Sequence, residues 1–276
     1  MEQGATSVYH AAMLERRTAP NGVTYYASTL LEQAGVPHAF STRLGGISPA
    51  PFDSLNLGNP NGCAIQDDYE RVWHNYRLLQ SAAGCEGGEL CHVHQVHGAV
   101  VVRAEAGAPF DTSAKADAIV GADPYRTLSV RVADCVPVLL TTRDGRTVAA
   151  VHAGWRGVVG GAVTAALSRI DGGNAADCVA AIGPCIGGDA FEVGPEVVDE
   201  FVRVFDGEVP LVRRVGEKGY IDLRAAVRTQ LLRAGLPADQ VDVSDRCTYR
   251  DADEFFSHRR ENGVTGRMAA IISPAR

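Results

Sequence analysis

The sequence lacks the features that mark secreted, membrane-bound and nucleic-acid-binding proteins. No apolar run approaches the roughly 20 residues that a membrane-spanning helix needs. The N-terminal region contains no charged segment followed by an apolar one, as a secretory leader would. The formal net charge is −7 and no lysine- or arginine-rich block occurs, whereas binding to nucleic-acid phosphates requires a basic face. The sequence therefore predicts a cytoplasmic protein with neither a nucleic acid nor a membrane as partner.

Nucleotide-binding motifs and a disulfide framework are also missing. The chain has no GxxxxGK[ST] loop and no GxGxxG after a strand-like segment, which argues against a P-loop or a dinucleotide-binding fold. Its seven cysteines are an odd number without framework spacing, in a chain of 276 residues that is long enough to form a core unaided. Reduced thiols are therefore expected. The close CxxC or HxxxH spacing of a structural zinc module is absent as well.

The composition is that of an ordinary globular protein, with 46% hydrophobic and 21% charged residues. Because no repeat, low-complexity tract or Pro/Ser-rich linker divides the chain, we expect one domain over residues 1–276. Helix-like and strand-like segments are interleaved without strict alternation, which favours an α+β fold with sheet packed under helices. Helices are predicted at 68–83, 156–170, 195–205 and 222–236, and strands at 38–42, 90–102, 116–120, 127–135, 137–143, 146–154, 178–184, 241–247 and 268–273. The turn DGR at 144–146 predicts a hairpin, and a second hairpin is expected at a sheet edge near 23–28.

Three residues at predicted strand ends carry the strongest chemical signal. They are His97 in HQVHG, Cys135 in VADCVPVLL and His152 in AAVHAGWRG. Two imidazoles and a thiolate form a ligand set that zinc uses when its fourth position stays open for water or substrate. Because the three are far apart in sequence, only the folded chain could bring them together, which favours a catalytic site. Taken singly, Cys135 is equally consistent with a buried small hydrophobe and His152 with a core histidine.

The strand parity selects among the neighbouring histidines. In an extended 90–102 segment, His92 and His94 share one face, while Gln95 and His97 share the other. His97 directly precedes Gly98, where a strand can end beside a cleft, so it is the preferred ligand. His92 and His94 are interpreted as a half-exposed strand face.

Arginines beside glycines suggest binding of an anion. In HAGWRG, Gly154 and Gly157 permit close backbone approach and Arg156 lies near the start of a helix, where free N–H groups attract a phosphate or carboxylate. The same glycines are equally consistent with a tightly packed helix start. Other polar clusters that suit a phosphate or a polyol contain Arg43, Asn56, Arg259, Arg260 and Arg267.

The motifs around these residues resemble those of a known family. STRLGG…SLNLG, QVHG, ADCVPVLL, VHAGWRG, IGPCIGG…FEVG, DRCT and FFSHRR…TGR occur in the order seen in the laccase-domain family. That family is also known for multifunctional purine nucleoside phosphorylases, includes the peptidoglycan editing factor, and was formerly described as polyphenol oxidase. The resemblance extends from about residue 37 to 273. The chain departs from the family pattern at Gly62–Cys63, where GD is usual, and in having the additional His92 and His94.

The resemblance implies a specific fold and activity. The fold would be the layered α+β sandwich shared with the cytotoxic necrotizing factor catalytic domain. A zinc ion would lie on His97, Cys135 and His152, with copper as a weaker alternative. The activity would be phosphorolysis of adenosine, inosine or guanosine and 5′-methylthioadenosine, accompanied by adenosine deamination. The implied catalytic residues are Cys135, His97, His152, Arg43 and Asn56, and the implied phosphate- or substrate-binding residues are Arg156, Arg259 and Arg260. The partners would be purine nucleosides and phosphate, in a monomer or a homodimer.

Several points remain open at this level. The general acid is Asp134, His94 or His258, and the zinc deaminase signature HxE…PCxxC is absent. A cysteine hydrolase with Cys135 as nucleophile and His152 as base, which edits peptidoglycan precursors, is an alternative function. A copper polyphenol oxidase and a protein that only binds its ligand are further ones.

Overall fold

The computed structural model describes residues 14–60, 62–170, 174–206 and 209–276, so residues 1–13 of the predicted domain lie outside the described part. The strands are β1 (Glu15–Thr18), β2 (Thr24–Ala27), β3 (His38–Ser41), β4 (Glu89–Cys91), β5 (Val101–Ala104), β6 (Ala118–Gly121), β7 (Arg126–Val132), β8 (Val136–Thr142), β9 (Val148–Ala153), β10 (Cys178–Ile182), β11 (Glu192–Val193), β12 (Leu211–Val215), β13 (Lys218–Ile221), β14 (Val241–Val243) and β15 (Met268–Ile272). The α-helices are α1 (Thr29–Gln33), α2 (Tyr69–Ala83), α3 (Trp155–Val159), α4 (Ala162–Leu167), α5 (Pro195–Phe205) and α6 (Leu223–Arg233).

Two six-stranded mixed sheets form the centre of the molecule. The first has the strand order β1-β2-β3-β15-β7-β4 and the second the order β14-β10-β8-β9-β6-β5. A hydrophobic cluster that includes Phe40 and Val130 of the first sheet and Leu139 of the second lies between them. The alternating neighbours Val138 and Leu140 belong instead to a cluster shared with α4, α5 and α6, as the two-residue period of a strand requires. A third cluster joins α2 to the outer face of the first sheet. The layers are therefore helix, sheet, sheet and helices, and the predicted α+β class is confirmed.

Local sequence signals account for the positions at which the long helices begin. Asp68 accepts a hydrogen bond from the N–H of Glu70 at the start of α2, and Asp222 accepts two at the start of α6. Pro195 occupies the first turn of α5, where its missing N–H costs nothing. The predicted hairpin at 144–146 is confirmed as the antiparallel β8–β9 pair, and the edge hairpin as β1–β2. Of the helices in the described ranges, none is both long and apolar enough to cross a membrane.

Three sequence predictions differ from the structure. The predicted strand at 90–102 ends at Cys91 and resumes only at Val101, with a single bridge from His94 to Lys115 between them. The predicted helix at 156–170 is two short helices, because Gly161 adopts a left-handed conformation with φ 75° and breaks the hydrogen-bond ladder. The small third sheet, with order β11-β13-β12, was not predicted, and its strands are only two to five residues long.

Candidate metal and substrate site

The three predicted ligands meet at one end of the two central strands of the second sheet. Cys135 directly precedes β8, His152 lies near the end of β9, and antiparallel pairing places Pro137 opposite His152. The potential donor atoms of His97, Cys135 and His152 all lie within 4.8 Å of one another. Metal bonds of about 2.0–2.3 Å to nitrogen and sulfur place zinc ligands roughly 3–4 Å apart. The three residues are therefore a candidate site for one metal ion with an open position.

Asp117 holds this set together and was not singled out from the sequence. Its fully buried carboxylate accepts the Nδ1–H of His152 at 2.8 Å. It also accepts the backbone N–H groups of His97 at 2.9 Å and Gly98 at 2.6 Å. Burial alone would raise the pKa of Asp117, but these hydrogen bonds hold it below its ordinary value. The ionised carboxylate thus fixes His152 with its Nε2 free for a ligand role. The sequence offered one signal for Asp117, a charged residue inside the apolar strand predicted at 116–120.

The backbone at residues 97 and 154 allows the three ligand side chains to approach one another closely. His97 has φ 60°, a left-handed conformation that is uncommon for a residue other than glycine, and its ring meets that of His152 edge to face at 4.9 Å. Gly154 lies against the side chains of His97 and Cys135. A Cβ atom at position 154 would come within 2.8 Å of His97 Cδ2 and 3.1 Å of Cys135 Sγ. Gly154, the first glycine of HAGWRG, is therefore needed, because a larger residue would collide with two of the ligand side chains.

Cys135 and His152 form a charged pair in the metal-free chain. Burial opposes ionisation of the Cys135 thiol, but the His152 charge and hydrogen bonds from both histidines lower its pKa to about 6. Burial likewise opposes protonation of His152, but the thiolate and Asp117 raise its pKa to about 9. At neutral pH the pair is thus thiolate and imidazolium. A preformed thiolate is both a better metal ligand and a better nucleophile than a thiol.

This charge state predicts an unusual alkylation profile. In metal-free protein, iodoacetamide should modify Cys135 at a rate that is half-maximal near pH 6 and constant above neutrality, because thiolate formation is complete there. Mass spectrometry of the modified peptide measures the rate, and the substitution Cys63→Ser removes the other partly exposed thiol. A midpoint between pH 8 and 9, that of an ordinary thiol, would contradict the ion pair.

A cavity of about 350 Å³ opens above the three ligands. Its lining is rich in cations and imidazoles, since Arg131, Arg259 and Arg267 contribute to it together with His94 and His258. The lining also includes Asn59, Gln95, Val132, Ala133, Asp134, Ile186 and Phe191. Among the described residues that line it, Asp134 is the one acidic side chain apart from the ligand thiol. The site is therefore suited to an anionic ligand.

The predicted arginines and the asparagine divide into two groups. Of Arg43, Asn56, Arg156, Arg259 and Arg260, only Arg259 lines the cavity. The other three arginines have local partners: Arg43 stacks on Phe256, Arg156 stacks on Trp155, and Arg260 donates to the carbonyl groups of Tyr249 and Phe255.

Asn56 acts on the cavity through another residue. Its buried Oδ1 accepts the backbone N–H of Arg267 at 2.9 Å and that of Gly58 at 3.2 Å. Arg131 was not among the predicted site residues. The side chain of Gln95 accepts the backbone N–H of Arg131 and donates to the Arg131 carbonyl group. Asn56 and Gln95 are thus positioning residues for two cavity arginines.

The three general-acid candidates all line the cavity, but they differ in hydrogen bonding, charge and exposure. Asp134, which has φ 88°, accepts the Thr248 hydroxyl at 2.6 Å and the backbone N–H of Arg259 at 2.7 Å. Its carboxylate therefore ties two loops to the site. The pKa of His258 is lowered by burial and by the charges of Arg267 and Arg259, so its imidazole is neutral at pH 7. His94 is exposed and reaches the cavity because the chain around it is not a regular strand.

The chain matches a known protein family over most of its length. A family model described as "Multi-copper polyphenol oxidoreductase laccase" matches residues 37–275 of the chain. The chain belongs to this family, as the sequence motifs indicated.

Relatives and solved structures agree with that assignment. The chain is 39% identical over 238 residues to "Purine nucleoside phosphorylase YfiH" of Escherichia coli, which covers 86% of this chain and 93% of the relative. It is 38% identical over 239 residues to "Purine nucleoside phosphorylase" of Deinococcus radiodurans, covering 86% of this chain and 88% of that one. The crystal structure of YlmD from Geobacillus stearothermophilus superposes with a TM-score of 0.82 at 30% identity, covering 95% of this chain and 99% of YlmD.

Proposed function

We propose that the protein is a zinc-dependent purine nucleoside phosphorylase that acts on adenosine, inosine, guanosine and 5′-methylthioadenosine. Adenosine deamination would be a second activity of the same site. The observation that carries the proposal is the position of His97, Cys135 and His152 at the base of a cavity lined by three arginines. The names of the relatives support the same reaction.

The cavity arginines would bind the phosphate. Guanidinium groups form paired, charge-assisted hydrogen bonds with phosphate oxygens. Arg131, Arg259 and Arg267 approach from three separate chain segments, so they can surround an anion. We assign them this role in place of Arg43, Arg156 and Arg260, since those three guanidinium groups lie outside the cavity lining. Zinc held by the three ligands, when bound, would supply Lewis acidity toward an oxygen of the substrate or of water.

The proposed reaction needs one proton transfer. A phosphate oxygen attacks C1′ of the nucleoside, and the bond from C1′ to the purine nitrogen breaks with its electron pair leaving on the base. The departing base takes up the proton that the phosphate loses. Neutral His258, whose pKa is lowered, suits this transfer, because it can accept a proton from the phosphate and pass it on. Sugar 1-phosphate and free base are the products.

A cysteine hydrolase that edits peptidoglycan precursors is the second candidate. It is favoured by the charged Cys135–His152 pair and by the Asp117 carboxylate that orients His152, an arrangement that activates a nucleophilic thiolate. Copper oxidase chemistry has less support. Multi-copper enzymes need several ligand groups, and in the described ranges one cluster of three or more metal-binding side chains is found.

Product analysis separates these functions. Purified protein is incubated with adenosine, inosine and methylthioadenosine, with and without phosphate, after its metal content is measured. The proposal predicts free base and sugar 1-phosphate only when phosphate is present, and loss of turnover with a chelator that zinc restores. Chelator-resistant turnover would favour the thiol hydrolase. Absence of phosphorolysis with all three nucleosides would refute the proposal.

A further inference from the structure

A second cavity of about 310 Å³ lies beside the first one. Asn59, His94 and Arg131 line both cavities, so the two are in contact through a shared wall. The side of the second cavity away from the metal ligands is formed by α2 and by the loop around His92. The two cavities therefore lie on either side of these three residues, so one ligand that contacts Arg131 is close to both.

One wall of this second cavity, formed by α2 and His92, carries aromatic rings. Tyr69 and Trp73 lie four residues apart on α2, and therefore on one helix face. They are 70% and 42% exposed, which is high for large aromatic side chains. The His92 ring lies 6.0 Å from that of Trp73. Exposed flat rings that line a concave surface are suited to stacking on a planar ligand.

His92 gives the cavity an unused polar group. Its Nδ1 atom is buried, so Nε2 is the ring nitrogen that a ligand in the cavity can reach. The pKa of His92 is lowered to about 4 by burial and by Arg131, so the ring is neutral. The nitrogen of a neutral imidazole can donate or accept a hydrogen bond, depending on the tautomer. A heterocycle with ring nitrogens or a carbonyl group matches this pattern.

We propose that the second cavity is the nucleobase subsite of the enzyme. The purine stacks on Trp73 and Tyr69 and hydrogen-bonds to His92, and the ribose lies against the shared wall. C1′ then faces Arg131 and the phosphate in the first cavity. The orientation of the nucleoside rests on the proposed phosphorylase function, whereas binding of a purine ring to this cavity does not depend on turnover.

Tryptophan fluorescence tests the subsite directly. The chain has two tryptophans, so in a Trp155→Phe background the emission comes from Trp73 alone. Hypoxanthine or adenine should quench it saturably, in zinc-loaded and in metal-free protein, and ribose should not. His92→Phe, which keeps the ring but removes both nitrogens, should weaken purine binding about tenfold. Absence of quenching, or equal purine affinity in the His92→Phe variant, would overturn the proposal.

Steady-state kinetics provide a second test with a matched control. Tyr69 and Tyr125 are both 70% exposed, but Tyr69 lines the second cavity and Tyr125 does not. Tyr69→Ala should raise the KM for inosine about tenfold, the usual effect of removing a stacking ring, and leave the KM for phosphate and the zinc content within twofold. Tyr125→Ala should change none of these. Equal inosine KM values in the two variants would overturn the subsite. If the unsubstituted protein shows no phosphorolysis, the proposed function fails, and the fluorescence titration alone decides the subsite.

Discussion

Replacing Cys135 by alanine should remove both metal binding and phosphorolysis. The substitution leaves two imidazoles where three donor atoms now meet within 4.8 Å, and it removes the thiolate that is the strongest of them. Loss of a hydrogen-bond partner behind a metal ligand typically lowers metal affinity or activity by about 10–100-fold, so loss of the ligand itself should lower both by more than about 100-fold. Metal analysis and the phosphate-dependent release of base from inosine measure the two effects.

The matched control is Cys178→Ala. Cys178 is a buried cysteine on β10 that does not line the cavity, so its loss should cost stability on the order of 1 kcal/mol and leave metal content unchanged. Full phosphorolysis by the Cys135→Ala protein would contradict a shared metal and catalytic site. Zinc retained without activity would point instead to Cys135 as a nucleophile.

Replacing Asp117 by asparagine should have the second largest effect. The carboxylate accepts hydrogen bonds from His152, His97 and Gly98 while fully buried. An asparagine of the same shape turns an NH₂ group toward one of these donors, and leaves it unpaired. Metal affinity should fall about 10–100-fold, and the free energy of unfolding should fall on the order of 3 kcal/mol, because hydrogen bonds to a buried charge are among the strongest. Zinc titration and urea denaturation measure the two quantities.

The pH dependence of stability provides an independent check on Asp117. The pKa of Asp117 in the folded state lies below the ordinary value of 3.8. The ionised carboxylate therefore contributes to the free energy of unfolding above pH 3.8, and this contribution is lost as the pH falls through the folded-state pKa. The Asn variant should therefore lose less stability than the unsubstituted protein between pH 5 and pH 2. Parallel stability curves for the two proteins would show that the Asp117 hydrogen bonds contribute little.

The elements that were predicted correctly carry their signals locally. Helix α2 has an aspartate cap and a regular apolar face, and the β8–β9 hairpin has a DGR turn between two apolar runs. The segment at 92–97 was assigned to a strand as part of the longer run LCHVHQVHGAVVV. In the structure its backbone N–H groups at 96–98 bond to Asp117 instead of to a neighbouring strand. Whether these N–H groups bond to a neighbouring strand or to Asp117 depends on a side chain about twenty residues away, which the local sequence pattern does not reveal.

The same reasoning explains which site residues were found. His97, Cys135 and His152 could be predicted because each lies within two residues of a glycine or proline, at a position that was interpreted as a strand end. The arginines could not be sorted in this way, because an arginine in a glycine-rich turn has the same sequence pattern whether it faces a cavity or its own loop. Arg260 bonds to nearby carbonyl groups and Arg131 reaches the cavity from a strand, and tertiary packing alone distinguishes them.

The assembly of the ligands from separate strand ends has a thermodynamic consequence. His97, Cys135 and His152 meet only when β8, β9 and the 92–98 segment are in place, so the unfolded chain offers no comparable site. Metal ion that binds the folded chain alone shifts the folding equilibrium by mass action, by about 2.7 kcal/mol at a free concentration of one hundred times Kd. The melting temperature should therefore rise with zinc concentration, and the availability of zinc would help to set how much folded protein a cell contains.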